Sequence, residues 1–240
     1  MARYAANPRS GHLTRALHLF GYLKSHKKFR ILFDNDPPNY KGFDFLDHDW
    51  QYLYPGAQDD IPTDMPPPKS EEVAITVYVD ASHGCDLVTR RSVTGILLCI
   101  NKTPIKWYSK RQNTVETSTY GSELVAARIA VELILEYRYK LRMLGIKLTQ
   151  PSVLLVDNMA VVTNSTLPSS SLKKKHNAIA YHKVREAVAS GIVKVAYVAS
   201  KKNRADILTK ALPPFLQYQM VSGILINSSE DQGELQGEPE

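Results

Sequence analysis

The sequence predicts an α/β fold, a mixed five-stranded sheet with helices on its faces in the order βββαβαβα. Three observations carry this prediction. Segments 73–80, 92–100 and 105–109 are apolar and β-branched, and the connections between them are too short for crossover helices. A long helical pattern follows, with Leu124, Ala127, Val131, Ile134 and Leu141 on one stripe. Two further apolar segments, 153–157 and 192–199, are each reached through a helix.

Taken in order, residues 1–30 open with the turn cluster Asn7-Pro8-Arg9-Ser10-Gly11. An amphipathic helix follows, with Leu13, Ala16, Leu17, Phe20 and Leu23 at helical spacing and Lys24, Lys27 and Lys28 near its C-terminus. Residues 31–70 carry prolines at 37, 38, 55, 62, 66, 67 and 68, which forbid long helices or central strands. Pro66-Pro67-Pro68 is a semi-rigid spacer, and a domain boundary is expected near residue 70. The first strand runs through Ala74-Ile75-Thr76-Val77-Tyr78-Val79 and ends on Asp80. Three consecutive strands this closely connected are antiparallel neighbours. Thr117-Ser118-Thr119 offers caps for a helix that runs to about Leu144 and is closed by Gly145. A strand reached through that helix is parallel to one already in the sheet. Helices over 158–165 and 177–189 follow, then the fifth strand, then a last short helix from Asn203 that is ended by Pro213-Pro214. The expected division is 1–70, 71–215 and an acidic, disordered tail over 216–240.

The chain has 240 residues and a net charge of +6, and its distribution is uneven. Beyond Ser229 lie five acids and no Lys or Arg, so the rest of the chain stands at +11. Such a body attracts polyanions, nucleic acid first. Cys85 and Cys99 suit neither a disulfide scaffold nor a Cys-rich zinc site, and both are expected to be buried free thiols. No segment has a signal-peptide layout, and no apolar run approaches the roughly 18 residues a bilayer span requires. An intracellular protein, cytoplasmic or nuclear, is the expectation.

Four acids stand out by position. Asp80 and Asp157 end the first and fourth strands, which are expected to be parallel neighbours, so both carboxylates emerge at one edge. Glu123 lies one turn into the long helix, and Asp206 opens the last one. Singly, each is more often a turn-former or a helix-dipole partner. Jointly they suit metal-assisted phosphodiester hydrolysis, in which two Mg²⁺ ions about 3.5–4 Å apart share oxygen ligands. Glu116 precedes the expected cap, and Glu132 points about 180° away from Glu123 on the helix. His83 lacks a supporting motif. His176 and His182 lie about 240° apart on a helix and do not share a metal.

At these residues the chain resembles the ribonuclease H domain of Ty1/copia-type LTR retrotransposon polyproteins. The matching residues are Tyr78-Val79-Asp80-Ala81-Ser82, Thr89-Arg90-Arg91-Ser92-Val93-Thr94-Gly95 and Ile105-Lys106-Trp107-Tyr108-Ser109-Lys110-Arg111-Gln112, then Ser122-Glu123 and Val156-Asp157-Asn158. Lys175-His176, His182, Arg185-Glu186, Gly191 and Ala205-Asp206-Ile207-Leu208-Thr209-Lys210 complete a collinear match over about residues 73–212. Residues 7–13 and 22–24 resemble the end of the reverse transcriptase upstream. The resemblance implies a ribonuclease H-like fold and an endonuclease acting on the RNA strand of RNA–DNA hybrids. It implies Asp80, Glu123, Asp157 and Asp206 as catalytic, metal-binding acids for two Mg²⁺ ions, with Mn²⁺ as a substitute. The reverse transcriptase of the same polyprotein is the implied partner, and virus-like particles a further location. Where the family usually has Glu-Ala-Glu, this chain has Gly121-Ser122-Glu123, and no room remains for the His loop of cellular ribonucleases H.

Basic clusters flank the acids. Arg91, Lys110, Arg111, Lys175 and His176 are candidate phosphate contacts, and Ser82, Asn113 and Asn158 candidate 2′-hydroxyl contacts. Solvated loops are the bland alternative for each. Two other functions remain open: a truncated retroelement relic that binds nucleic acid without catalysis, since no Tyr-x-Asp-Asp polymerase motif is present, and integrase-type strand transfer. The latter expects its Glu on a late helix, whereas Glu123 comes second among the four acids.

Overall fold

The computed structural model describes residues 7–222 and 224–227. The chain divides into two compact units, the described part of Met1–Leu32 and Leu225–Glu240, and Phe33–Ile224.

In the smaller unit, α1 spans Ser10–Ser25 and β1 spans Phe29–Ile31. β1 pairs antiparallel with β7, Leu225–Asn227. The amphipathic helix therefore forms as its periodicity predicts. Its apolar stripe is not buried, however: Leu13, Leu17, Phe20 and Leu23 are all exposed.

The larger unit is built on a five-stranded sheet. Its strands are β2 (Ile75–Ser82), β3 (Val93–Ile100), β4 (Thr103–Arg111), β5 (Ser152–Val156) and β6 (Val193–Tyr197), in the order β4-β3-β2-β5-β6. β2, β3 and β4 are antiparallel neighbours, and β2–β5 and β5–β6 are parallel. This is the sheet read from the sequence, with β2 two residues later and β4 longer than expected. The helices are α2 (Thr119–Met143), α3 (Met159–Thr166) and α4 (Ala178–Ala189). Ser118 caps α2 by accepting from the Gly121 N–H, and Gly145, at φ +73°, ends it with Ile146 N–H bonded to the Leu141 carbonyl. Such a left-handed backbone costs a glycine nothing.

One face of the sheet is buried under the helices. Ile75, Val77, Val79 and Ala81 alternate along β2 and pack with Leu124, Ala127, Val131 and Ile134 of α2 and Val184 of α4. Burying each of the Val, Leu and Ile side chains contributes about 1.5–3 kcal/mol. The other face departs from expectation. Val153, Leu155, Ala196 and Val198 point away from these helices, and Tyr40, Phe43 and Phe45 pack against them. The Tyr40 hydroxyl also meets Thr76 Oγ1 at 2.6 Å. The Pro-interrupted segment thus lies in the same compact unit as the sheet, Phe33–Ile224, where it covers an apolar sheet face.

Two further expectations are corrected. Cys99 is buried, whereas Cys85 is exposed on the turn after β2. The short helix from Asn203 does end before Pro213-Pro214 but is not the last: a proline needs no N–H partner in a first helical turn, and Pro214 starts α5, Pro214–Val221. Residues 216–227 therefore hold most of α5 and β7, and the rest of the expected acidic tail, 228–240, lies outside the described residues. Among the described residues no helix is long and apolar enough to cross a membrane.

Candidate active site

The parallel pairing of β2 with β5 sets the geometry. The last paired residues are Val79 and Val156, so the next residue on each strand is an aspartate, Asp80 and Asp157, at the same carboxyl edge. α2 packs across β2 and brings Glu123 over the same point. One carboxylate oxygen from each of Asp80, Glu123 and Asp157 lies within 4.8 Å of the others. Asp80 and Glu123 are 1 and 3% exposed, and Asp157 is half-buried.

Asp206 joins them from a 3-10 turn, Arg204–Leu208, seated against β3. Gly95, which pairs with Asp80 in the sheet, makes this approach possible. A Cβ at Gly95 would lie 2.5 Å from Thr209 Cγ2 and 2.9 Å from the Ala205 carbonyl oxygen. Asn203 ties the turn down by donating from Nδ2 to the Val79 carbonyl at 2.9 Å. Lys210 then bridges two of the acids, with Nζ 3.2 Å from Asp80 Oδ1 and 2.9 Å from Asp206 Oδ1. The Thr209 hydroxyl donates to Asp80 Oδ2. Thr209 and Lys210 belong to the Ala205–Lys210 motif, which alone assigns them no role. The available signal was the i,i+4 spacing of Lys210 from Asp206.

The electrostatics are lopsided. Burial, then the charges of Asp80 and Asp157, push the Glu123 carboxyl up to about 9, against the pull of the Ala81 N–H and Lys210. Glu123 Oε2 is buried without a hydrogen-bond partner. Burial and Asp80 also raise Asp157, opposed by Ser200, Lys210 and Asn203. Burial raises Asp206, with Asp80 adding to it and the Lys210 bond opposing. Burial alone would lower Lys210, but its bonds to Asp206 and Asp80 raise it. Hard oxygen donors at this spacing, one of them orphaned, fit a divalent cation.

The remaining predicted residues fall into groups. Ser82 ends β2 two residues beyond Asp80, and Asn158 follows Asp157. Asn158 Oδ1 caps α3 by accepting from the Ala160 and Val161 N–H groups, so only its amide nitrogen remains for a ligand. Lys110, Arg111, Asn113 and His176 line one cavity beside α2. Arg111 is paired with Asp86 at 2.6 Å, and His176 Nε2 lies 3.3 Å from Glu116 Oε2 rather than open to a phosphate. Lys175 is exposed and Arg91 half-buried. His83 is exposed, with Nδ1 2.7 Å from the Ser122 hydroxyl. His182 meets the Tyr54 hydroxyl at 2.8 Å, well apart in role from His176. Of the rival acids, Glu132 pairs with Arg128 on the surface, whereas Glu116 is buried.

No family model matches the chain. It is 31% identical over 144 residues to the retrovirus-related Pol polyprotein from transposon RE1 of Arabidopsis thaliana, covering 60% of this chain and 10% of that protein. The Pol polyprotein from transposon TNT 1-94 of Nicotiana tabacum is 31% identical over 136 residues, covering 57% and 10%. Among solved structures, LC11-RNase H1 isolated from compost aligns over 57% of this chain and 92% of its own, with 17% identity and a TM-score of 0.45. The foamy viral protease-reverse transcriptase in complex with RNA/DNA hybrid aligns over 85% of this chain and 26% of its own, with 15% identity and a TM-score of 0.40. The chain spans about a tenth of the length of the curated relatives it matches, and those relatives are retrovirus-related Pol polyproteins from plant transposons.

Proposed function

We propose that this chain is the ribonuclease H portion of a retrotransposon Pol polyprotein, hydrolysing the RNA strand of RNA–DNA hybrids with two Mg²⁺ ions. The observation that carries the reading is the convergence of Asp80, Glu123 and Asp157 within 4.8 Å, with Asp206 tied to Asp80 through Lys210. The similarity to Pol polyproteins supports it.

Held by these four carboxylates, the ions would supply the charge that activates water and stabilises a leaving 3′-oxygen. The chain's own groups prepare that site. Burial and two neighbouring acids oppose the ionisation of Glu123, and a cation held there would favour its charged form. The Ala81 N–H, 3.2 Å from Glu123 Oε1, and the Thr209 hydroxyl on Asp80 fix which oxygens face the site. Lys210 places positive charge between Asp80 and Asp206, and would have to give way to a cation held by the same acids. Lys110, Arg111 and Lys175 would position phosphates without reading sequence, and Ser82, Asn113 and Asn158 would face 2′-hydroxyls. The attached reverse transcriptase would add grip on the duplex.

The test is incubation with labelled RNA–DNA hybrid, RNA duplex and DNA duplex. Mg²⁺-dependent cleavage of the hybrid's RNA strand alone is expected, with Asp80→Asn lowering it by about a thousandfold or more. Cleavage that persists in EDTA or in the variant overturns the proposal. Tight hybrid binding with no turnover would instead select a non-catalytic relic.

A further inference from the structure

The turn after β2 carries a histidine on a buried mount. His83 is exposed, yet its Nδ1 lies 2.7 Å from the hydroxyl of Ser122, which α2 buries completely. Ser122 Oγ lies 2.9 Å from Ser92 Oγ, also completely buried. Ser92 Oγ in turn accepts the Gly84 N–H at 3.0 Å. A satisfied buried network of this kind rigidifies what it holds. Ser122 is also one of the two departures at the helix start: the family this chain resembles has Ala between its two glutamates, and Ala has no hydroxyl to hold a ring.

The protons of this chain of hydroxyls follow from its partners. Among the described residues Ser92 Oγ has one acceptor, Ser122 Oγ, so its proton points there. The Ser122 proton then has two acceptors, His83 Nδ1 at 2.7 Å and the Ser118 carbonyl at 3.3 Å. Donation along the shorter contact leaves the ring proton on Nε2. A doubly protonated ring donates from Nδ1 to Ser122, whose own proton turns to Ser118. In both states Nδ1 stays bonded and Nε2–H is left for a ligand. The strand places this donor. Ile75, Val77, Val79 and Ala81 face α2, and His83 continues that series, while Asp80 turns the other way, toward Thr209 and Lys210. Three residues of extended chain span at most about 10 Å, so the ring stands beside the acids and not among them. The exposed Arg90 lies over the same turn: a Cβ at Gly84 would stand 3.5 Å from its Nη2.

We propose that His83, set by Ser122, grips a backbone phosphate of the hybrid next to the scissile one. The inference rests on the hybrid-hydrolase reading. A single N–H donor on a rigid mount suits a phosphate oxygen, and hydrogen bonds to an ionised partner are the strong ones. Arg90 adds positive charge on the same side. The contact reads no sequence; it sets the strand's place over the acids. His83 touches the substrate, whereas Ser122 acts through His83 and is a positioning residue.

The test measures binding of a fluorescent RNA–DNA hybrid to the full chain by anisotropy in EDTA, so that it reads without turnover. His83→Ala is expected to weaken binding about tenfold, and with Mg²⁺ to raise KM by a similar factor with little change in kcat. His83→Arg, which keeps a donor, should restore most of the loss. Ser122→Ala should weaken binding less, at unchanged circular dichroism, and add nothing to His83→Ala in the double variant, because it acts only through the ring. A neutral methylphosphonate moved along each strand locates the contact: next to the cut, one such position should weaken the unsubstituted chain and leave His83→Ala indifferent. Hybrid binding that follows His83 with no cleavage by the unsubstituted chain keeps this contact and sinks the nuclease reading alone. Unchanged binding in His83→Ala, no recovery in His83→Arg, additive loss in the double variant, or no hybrid binding by the unsubstituted chain overturns the proposal.

Discussion

The two ends of α2 both bury charge, and they do so in opposite ways. At the C-terminal end, Arg138 and Arg142 close on Asp59 of the irregular segment before the sheet. Arg138 Nη2 reaches Asp59 Oδ2 at 2.7 Å, and Arg142 Nη1 reaches Oδ1 at 3.1 Å. Arg138 also donates to the Gln150 carbonyl at 2.9 Å. Burial would raise the Asp59 carboxyl, but the bonds to Arg142 and Arg138 outweigh it and hold the group below its ordinary range. At the N-terminal end, Glu123 faces Asp80 and Asp157, and Lys210 binds Asp80 and Asp206 instead. Buried charge matched by the chain's own groups fastens the fold. Buried charge of one sign, left over, is a demand for a ligand.

The largest stability effect is expected at the matched end. Asp59→Asn leaves two nearly buried guanidinium groups, with side chains 3 and 6% exposed, without their anion. Losing one partner of a fully buried pair costs about 3–5 kcal/mol. Water reaches Asp59, whose side chain is 21% exposed, so about 2–3 kcal/mol is expected here. Chemical denaturation reads it directly. Unchanged stability would mean that the clamp is incidental and that the aromatic cover of Tyr40, Phe43 and Phe45 alone holds the segment.

That segment also shows where sequence reading reaches its limit. The strands were legible because β-branched runs joined by short connections leave antiparallel pairing as the only economical arrangement, and the acids followed from where those strands end. Tyr40, Phe43 and Phe45 follow no period, so nothing marked them as cover for Val153, Leu155, Ala196 and Val198. Nothing in the sequence marks Asp59 as a clamp, because its partners Arg138 and Arg142 lie about eighty positions away. Glu116 was set aside for preceding the cap. Its burial depends on Gly121 having no side chain, a relation visible only once α2 is folded back on the loop. The stripe on α1 was read as amphipathic, yet its side chains are exposed, since periodicity tells which residues share a face and not what meets it.

The unmatched end predicts the opposite sign for charge removal. Glu123 has a folded pKa raised to about 9 from an ordinary 4.5. Between those values the folded chain holds a proton that the unfolded chain has released, so without divalent cations stability falls as pH rises through this window. The slope from one group is at most about 1.4 kcal/mol per pH unit. Asp59 works the other way: its lowered pKa contributes stability above its ordinary 3.8 that is lost as pH falls. Glu123→Gln should therefore melt higher than the unsubstituted chain at pH 8, with the gap closing toward pH 5. Identical melting curves across that range would show that the carboxyl is relieved by water and is not a strained ligand.

The smallest effect concerns Lys210, the residue that makes the unmatched end partly matched. Its ammonium sits 3.2 Å from Asp80 and 2.9 Å from Asp206, where it offsets some of the repulsion a cation would relieve, and its side chain is 40% exposed. Lys210→Met removes that compensation without adding bulk. Stability without divalent cations should drop by only about 1 kcal/mol, because water screens so exposed a charge. Mg²⁺, which no longer has to displace an ammonium, should bind more tightly in a calorimetric titration. The two shifts are linked: whatever the lysine contributes in the empty site, the ion must give up on entering. If the variant instead bound Mg²⁺ more weakly, Lys210 would be holding Asp80 and Asp206 in register for the ion rather than standing in its place.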